Sequence, residues 1–100
     1  MIDSIKGTLV KKNPTSVIID IGGIRLGIPI TLATFEKIPD PNHAVELLTY
    51  LHVREDIMEL YGFYDDHERD VFMQLNSISG IGPRSAMNIL SGTDPIEFKK

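Results

Sequence analysis

The sequence contains no cysteine and only three histidines among its 100 residues. Without cysteine the chain can form neither a disulfide framework nor a thiolate metal site, and this composition agrees with a cytoplasmic protein. His43, His52 and His67 are too scattered along the chain to indicate a metal site. We therefore predict no metal and no cofactor, and a cytoplasmic location.

Long hydrophobic runs are also missing. The first ten residues, MIDSIKGTLV, lack the basic stretch followed by an apolar run that marks a signal peptide. Apolar residues make up 42% of the chain, but charged residues interrupt every hydrophobic segment. We predict no signal peptide and no membrane span, and a single small domain or one small domain with a fragment of a second.

The residue patterns of several catalytic sites are absent. Gly22 and Gly27 have the spacing of a phosphate-binding P-loop, but Ile28 and Pro29 stand where Lys and Ser or Thr would hold phosphate and magnesium. The segment Gly80–Ser85 begins like a dinucleotide-binding loop, yet it lacks the third glycine. No nucleophile accompanies the paired carboxylates of the chain. We predict that the protein is not an enzyme and has no catalytic residues.

Negative charge is concentrated in one part of the chain. The formal net charge is −4, but residues 55–70 alone carry −6, so the remaining residues together carry +2. The acidity is therefore local, and the net charge does not exclude a nucleic-acid partner.

Alternating apolar residues predict five strands, at residues 5–12, 16–21, 24–30, 44–54 and 58–63. Gly22-Gly23 is a hairpin signal between the second and third strands. Thr31 can cap a short helix over residues 32–37, which ends before Pro39. Five strands with a helix between the third and fourth form an OB-fold barrel, although small Greek-key and SH3-like barrels are alternatives.

The fourth strand has the clearest alternation of apolar and polar residues. One of its faces carries Val45, Leu47, Leu51 and Val53, while polar or aromatic residues occupy the other. This pattern predicts a half-exposed antiparallel strand.

Beyond Tyr64 the apolar residues recur every three or four positions, which predicts helices. Asp65 or Asp66 can cap the first helix. Its predicted buried stripe consists of Val71, Phe72, Leu75 and Ile78. We interpret its acidic residues, Asp65, Asp66, Glu68 and Asp70, as the cap and a solvated face of this helix.

A second helix is predicted to begin at Pro83 and to end at Gly92. The stripe that faces the first helix consists of Ala86, Ile89 and Leu90. Asp94, Pro95 and Glu97 predict a third helix from residue 95. Because only about six residues of that helix are present, too few for a stable helix, we expect the chain to be a fragment.

The turn between the two helices has the sequence GIGP. Gly80 and Gly82 lack a Cβ, so we expect left-handed dihedrals and close approach of the backbone to a ligand, with the apolar residue between them pointing inward. Because Pro83 suits the first helical position, the amides of Gly82, Arg84 and Ser85 lie at the positive end of a helix dipole. We predict a phosphate site at these residues and Gly80, with an ordinary αα-hairpin as the alternative.

This turn resembles the helix-hairpin-helix motif of DNA binders that do not read sequence. Together with three further segments, the turn gives the chain a resemblance to the RuvA family over all 100 residues. These segments are Val53-Arg54-Glu55-Asp56, Leu60-Tyr61-Gly62-Phe63 and Ile89-Leu90-Ser91-Gly92. Members of that family bind Holliday junctions in the bacterial RuvAB branch-migration complex. The resemblance implies a β barrel followed by helices: a five-stranded OB-fold at residues 1–63, and at residues 64–100 the first helix-hairpin-helix part of a truncated DNA-binding domain.

The resemblance also implies a site and partners. Glu55 and Asp56 match the acidic pin of the family, which lies under the crossover of four-way junction DNA in a homotetramer. Carboxylates there repel phosphates and hold the strands apart, and Arg54 is a further implied phosphate contact. The full-length protein is implied to act in recombination and DNA repair with a RuvB-type motor ATPase and a RuvC-type resolvase. The implied function is structure-selective junction binding by a non-catalytic subunit.

Two other functions stay open. OB-folds commonly bind single-stranded DNA through aromatic platforms, but the aromatic residues of this chain are not interleaved with basic ones. The negative net charge leaves a protein-assembly module without a DNA role as the other alternative.

Overall fold

The computed structural model describes residues 2–92. In chain order the elements of this range are β1 (Ser4–Asn13), β2 (Ser16–Ile21), β3 (Ile24–Pro29), α1 (Leu32–Lys37), β4 (Ala44–Arg54), β5 (Ile57–Phe63), α2 (Asp66–Asn76) and α3 (Pro83–Leu90). Each predicted strand is present and differs in its bounds by no more than one residue at either end. The helix predicted from residue 95 lies outside the described residues. None of the helices in residues 2–92 is long and apolar enough to cross a membrane.

The five strands form one antiparallel sheet in the order β3-β2-β1-β4-β5. The first half of β1 pairs with β4 and its second half with β2, with a shift in register between Leu9 and Lys11. Such an irregularity bends a strand and increases its twist. A parallel bridge between Ile30 and Gly62 joins the end of β3 to β5. The sheet therefore curls into a nearly closed barrel, which confirms the predicted OB-fold.

Glycines make two parts of this barrel possible. Gly22 and Gly23 have φ values of 62° and 101° and form the predicted turn between β2 and β3. Gly62 faces the interior, where a Cβ would lie 2.9 Å from Cγ2 of Ile28 and 3.0 Å from Cδ1 of Leu47. A Cβ at this position would have to push both methyl groups away, so glycine lets β5 pack closely against these core side chains.

Apolar side chains from β1 to β4 fill the barrel. The residues of this core are Ile5, Leu9, Val17, Ile19, Ile28, Ile30, Ile38, Val45 and Leu47. Ile38 directly follows α1, so the same core also holds that helix in place. Burial of these side chains removes apolar surface from water and is the main stabilising contribution to the barrel.

A second apolar cluster joins the outside of the barrel to the helices. It contains Tyr61 and Phe63 from β5, Phe72 from α2, and Ala86 and Met87 from α3, all of them buried. The Phe72 ring centroid lies 4.9 Å from that of Phe63 and 5.6 Å from that of Tyr61. Alternation along β5 produces this arrangement, since residues 61 and 63 face outward while Gly62 faces the core.

Two predictions about burial are wrong. Ile78 is 51% exposed, because α2 ends at Asn76 and residue 78 lies in the turn, where the helical spacing no longer places it on the buried stripe. Val53 is 55% exposed although it follows the alternation of β4. It lies near the tip of the β4–β5 hairpin, beyond the part of the strand that packs in the core.

Glu68 is not part of a solvated face, contrary to the prediction. Its two carboxylate oxygens accept hydrogen bonds from the hydroxyls of Thr31 and Thr34, at 2.6 and 2.5 Å. Both threonines are fully buried, and the Thr34 hydroxyl also accepts a bond from the amide of Tyr64. Glu68 therefore ties α2 to the start of α1.

Asp65 caps α2 as predicted. Its carboxylate accepts a hydrogen bond from the amide of Glu68 at 2.9 Å and forms an ion pair with Lys37 at 3.0 Å. The bond from the Glu68 amide, followed by the one from Lys37, holds the pKa of Asp65 below its ordinary value. The cap thus contributes most to stability when Asp65 is ionised.

Replacing Glu68 by alanine is expected to destabilise the chain by about 1–3 kcal/mol, because two buried hydroxyls lose their acceptor. Urea unfolding followed by circular dichroism measures this change. The matched control is Glu36→Ala, at an exposed position of α1. Equal losses of unfolding free energy in both variants would contradict a stabilising role of the Glu68 hydrogen bonds between the helices.

The cap of α2 should also make stability depend on pH. The folded-state pKa of Asp65 lies below its unfolded value, so its contribution is present above that unfolded value and is lost as pH falls through the folded one. We expect Asp65→Asn to lower the unfolding free energy by about 0.5 kcal/mol at pH 7, and by progressively less below about pH 4. Urea titrations from pH 7 to pH 2.5 test this, with Asp70→Asn as the control. A loss of unfolding free energy that does not depend on pH would contradict the role of the Asp65 charge.

Candidate nucleic-acid interface

The two predicted acids occupy the tip of the β4–β5 hairpin. Arg54 and Ile57 form the last residue pair of the two strands, so Glu55 and Asp56 alone make the turn between them. Both acids are exposed, as is Arg54. The predicted strands at residues 44–54 and 58–63 leave these acids in the connection between them, and that placement is confirmed, whereas their role stays a prediction.

The hairpin between α2 and α3 differs from expectation at one glycine. Gly80 has a φ of 89°, in the left-handed region, as predicted. Gly82 instead has a φ of −86° and a ψ of 177°, which is ordinary extended backbone. Ile81 between them is half-buried against the cluster around Phe72, so it points inward as predicted. Its amide donates to the carbonyl of Ile78 at 3.0 Å and closes the turn.

The N-terminus of α3 is open. Gly82 is its N-cap and makes no side-chain capping bond, and Pro83 begins the helix as predicted. The first intrahelical bond runs from the amide of Ala86 to the carbonyl of Gly82, so the helix itself leaves the amides of Arg84 and Ser85 without acceptors. No atom lies within 4 Å of the place that a Cβ on Gly82 would occupy. An anion can therefore approach these amides closely.

An open cleft joins this helix end to the β4–β5 hairpin. Its lining residues are His52, Asp56, Ile57, Met58, Glu59, Tyr61, Gly82, Pro83, Arg84 and Ser85. Four of the seven predicted site residues, Asp56, Gly82, Arg84 and Ser85, thus share one cleft. The other three, Arg54, Glu55 and Gly80, do not line it.

The predicted cation of the cleft already has a partner. Nη2 of Arg84 lies 2.9 Å from Oε2 of Glu59, and the Arg84 side chain is 74% exposed while that of Glu59 is 29% exposed. The other oxygen of Glu59 accepts a hydrogen bond from the Tyr61 hydroxyl at 2.8 Å. Arg84 is therefore a paired cation in this structure, because the barrel supplies the carboxylate of Glu59 beside it.

These bonds shift the ionisation of both β5 residues. The hydrogen bond from Tyr61, with smaller effects of Arg84, holds the pKa of Glu59 below its ordinary value. Burial, followed by the bond to Glu59, raises the pKa of Tyr61 to about 12. At neutral pH Glu59 is therefore a carboxylate and Tyr61 a neutral donor.

Sequence reasoning missed Glu59. A signal for it was present, since Glu59 is two residues before Tyr61 and therefore on the same face of β5 as the aromatic residues that meet the helices. The pairing itself could not be predicted, because it depends on where the N-terminus of α3 lies relative to the barrel.

The cleft offers no metal-binding cluster. Within residues 2–92, no group of three or more His, Asp or Glu side chains is arranged to hold a metal ion. In the same range every buried side-chain polar atom has a hydrogen-bond partner. The groups that line the cleft are therefore open amides, a paired guanidinium, carboxylates, the Tyr61 hydroxyl and the His52 ring.

Comparison with known proteins adds the family. Residues 1–62 match the family described as the RuvA N terminal domain. A Coxiella burnetii protein (strain RSA 331 / Henzerling II) named Holliday junction branch migration complex subunit RuvA is 42% identical over 98 residues, which are 98% of this chain and 49% of that protein.

Proteins of the same name from two other organisms show similar identity. The one from Cytophaga hutchinsonii is 44% identical over 100 residues, covering 100% of this chain and 50% of its own length. The one from Solibacter usitatus is 45% identical over 92 residues, covering 92% of this chain and 47% of its own. The chain thus spans about half the length of the curated relatives it matches. The family match, together with these identities over nearly the whole chain, establishes that the chain belongs to the RuvA family.

Proposed function

We propose that this chain binds four-way DNA junctions by their shape, as the non-catalytic DNA-binding subunit of a branch-migration complex that acts in recombination and repair. The observation that carries the proposal is the cleft in which Asp56 of the acidic turn and the open N-terminus of α3 lie side by side. A phosphate is attracted by one wall of this cleft and repelled by the other.

Attraction comes from the α2–α3 hairpin. The amides of Arg84 and Ser85 and the dipole of α3 favour a phosphate at the helix end. Gly82 supports this role. Neither its dihedral angles nor its neighbours require glycine at this position. Glycine does, however, allow a phosphate to approach the backbone closely. Contacts of this kind hold the DNA backbone without reading bases.

Repulsion comes from the β4–β5 turn. Glu55 and Asp56 are exposed at the end of a hairpin that projects beyond the core, next to exposed Val53 and Met58. Carboxylates at this position oppose the close approach of a continuous duplex. A four-way junction with an open centre can surround the turn while its arms reach the helix ends, which is the basis of the proposed shape selectivity.

The resemblance to the RuvA family supports a proposal about the assembly. We infer a homotetramer, in which four acidic turns gather at one centre and four α2–α3 hairpins contact the arms. A RuvB-type motor ATPase and a RuvC-type resolvase are the proposed partners of the full-length protein, and the cytoplasm is its proposed location. Several hairpins that act on one DNA molecule increase affinity far beyond that of a single hairpin.

The aromatic residues support junction binding over single-strand binding. Tyr61, Phe63 and Phe72 are buried in the cluster between barrel and helices, and Tyr50 packs edge-on against Phe72 at 5.2 Å between ring centroids. Among the aromatic residues in positions 2–92, only Tyr64 is largely exposed to solvent. A row of exposed rings, which single-strand binders use for stacking, is therefore absent from this range.

Replacing Gly82 by serine tests the phosphate site. A serine hydroxyl at the N-cap would bond the first-turn amides, so it should stabilise the chain by about 0.3 kcal/mol. The same hydroxyl would occupy the donors that a phosphate needs, so affinity for four-way and duplex DNA should fall roughly tenfold. Urea unfolding and gel-shift titrations measure the two effects.

The control for this variant is Gly27→Ser on β3, where a Cβ likewise meets no atom within 4 Å. This change should leave DNA affinity unaltered. Stabilisation by Gly82→Ser without any loss of DNA binding would refute the proposed phosphate site.

Neutralising the acidic turn tests shape selectivity. The double variant Glu55→Gln, Asp56→Asn should bind duplex DNA roughly tenfold more tightly at low salt, because two repelling charges are removed. Affinity for a four-way junction should change less, so the ratio of junction to duplex affinity should fall. Competition titrations at two salt concentrations measure this ratio.

A second double variant, Glu36→Gln with Asp70→Asn, removes the same charge from exposed positions on α1 and α2. It should leave the ratio of affinities unchanged. If both double variants alter the ratio equally, net charge rather than the acidic turn sets selectivity. Light scattering on the same samples records the oligomeric state.

A further inference from the structure

Arg84 stands at the open end of α3, yet it is not free to meet a phosphate unopposed. Its guanidinium donates from Nη2 to Glu59 at 2.9 Å, and its side chain is 74% exposed. The long exposed side chain can leave this partner without disturbing any packed neighbour. The ion pair is therefore one that DNA can exchange.

Glu59, in contrast, is held in place. Its carboxylate accepts the hydroxyl of Tyr61 at 2.8 Å, and Tyr61 is 1% exposed with its ring against Phe72. Its position on β5, opposite His52 of β4, lies within the paired part of the hairpin. When Arg84 turns towards a phosphate, Glu59 therefore stays behind as a fixed carboxylate in the cleft.

The cleft consequently contains a competition between two anions for one cation. Carboxylate and phosphate oxygens accept the same guanidinium donors with similar geometry. A phosphate that binds at the helix end competes with Glu59 for Arg84, and a phosphate that takes the guanidinium lies close to the carboxylate that it has displaced. When that phosphate leaves, Glu59 is in position to accept the guanidinium again.

We propose that Glu59 is a positioning residue that limits the strength of each phosphate contact by holding Arg84 in an exchangeable ion pair. This inference rests on the proposed DNA-binding function and adds to it a way of releasing DNA. During branch migration the arms of a junction must move past the protein, so each backbone contact has to break and form again. An internal acceptor for the guanidinium accelerates that exchange.

The test is a double-mutant cycle of Glu59→Gln and Arg84→Gln, with binding to a four-way junction and to duplex DNA measured by titration and by stopped-flow dissociation. Glu59→Gln keeps an acceptor for Tyr61 but removes the charge that competes with phosphate. We expect affinity for DNA to rise roughly two- to fivefold for each hairpin engaged, because Arg84 no longer has to break an exposed ion pair before it contacts phosphate. Dissociation should slow by a similar factor.

Two further readouts separate this role from a merely structural one. The slope of log K against log salt should become steeper by up to about one for each hairpin engaged, because Glu59 no longer offsets the charge of the guanidinium that replaces counterions. The gain in affinity should vanish in the Arg84→Gln background, since the effect acts through that guanidinium. The charge-matched control Glu36→Gln should change neither value.

Three results would overturn the inference. An equal gain with and without Arg84 would mean that Glu59 merely repels DNA, and a loss of affinity in Glu59→Gln would mean that it orients Arg84 for phosphate. An unchanged affinity would mean that the ion pair plays no part in binding. In all three cases the unsubstituted protein still binds DNA, so the proposed function stands. If no folded variant binds any DNA at low salt, the proposed function fails, and this inference fails with it.

Discussion

The packing of Phe72 against the outer face of β5 holds the helices to the barrel. Its ring meets Tyr61 and Phe63 from one strand and Tyr50 from the next. Such aromatic pairs contribute about 0.5–1.5 kcal/mol each beyond the burial of their surface. Because α3 packs in the same cluster through Ala86 and Met87, this contact also sets where the open end of α3 lies.

That placement brings opposite electrostatic influences into one cleft. The positive end of α3 faces a hairpin from the barrel that carries Asp56 at its tip and Glu59 along its length. The attraction and the repulsion belong to different parts of the chain, so their balance depends on rigid packing between those parts. Glu68 adds to that rigidity by bonding two buried hydroxyls near α1.

Much of the fold could be predicted because its signals are local. Alternation of apolar residues located the strands, Gly22-Gly23 located a turn, and Thr31 and Asp65 located helix caps. The prediction for Ile78 failed for an equally local reason: periodicity does not show at which residue a helix ends. Val53 shows the limit for strands, since alternation does not reveal how far a strand extends beyond the core.

The features of the candidate site likewise divide into those that depend on neighbouring residues and those that depend on tertiary packing. By itself the sequence determined the acidic turn at Glu55 and Asp56 and the start of α3 at Pro83, because turns and helix starts depend on neighbouring residues. Only the tertiary structure decided that Arg84 pairs with Glu59 and that both line one cleft with Asp56. The physical reason is that an ion pair between residues 25 positions apart depends on how a barrel and a helix pack together. No spacing along the chain encodes that distance.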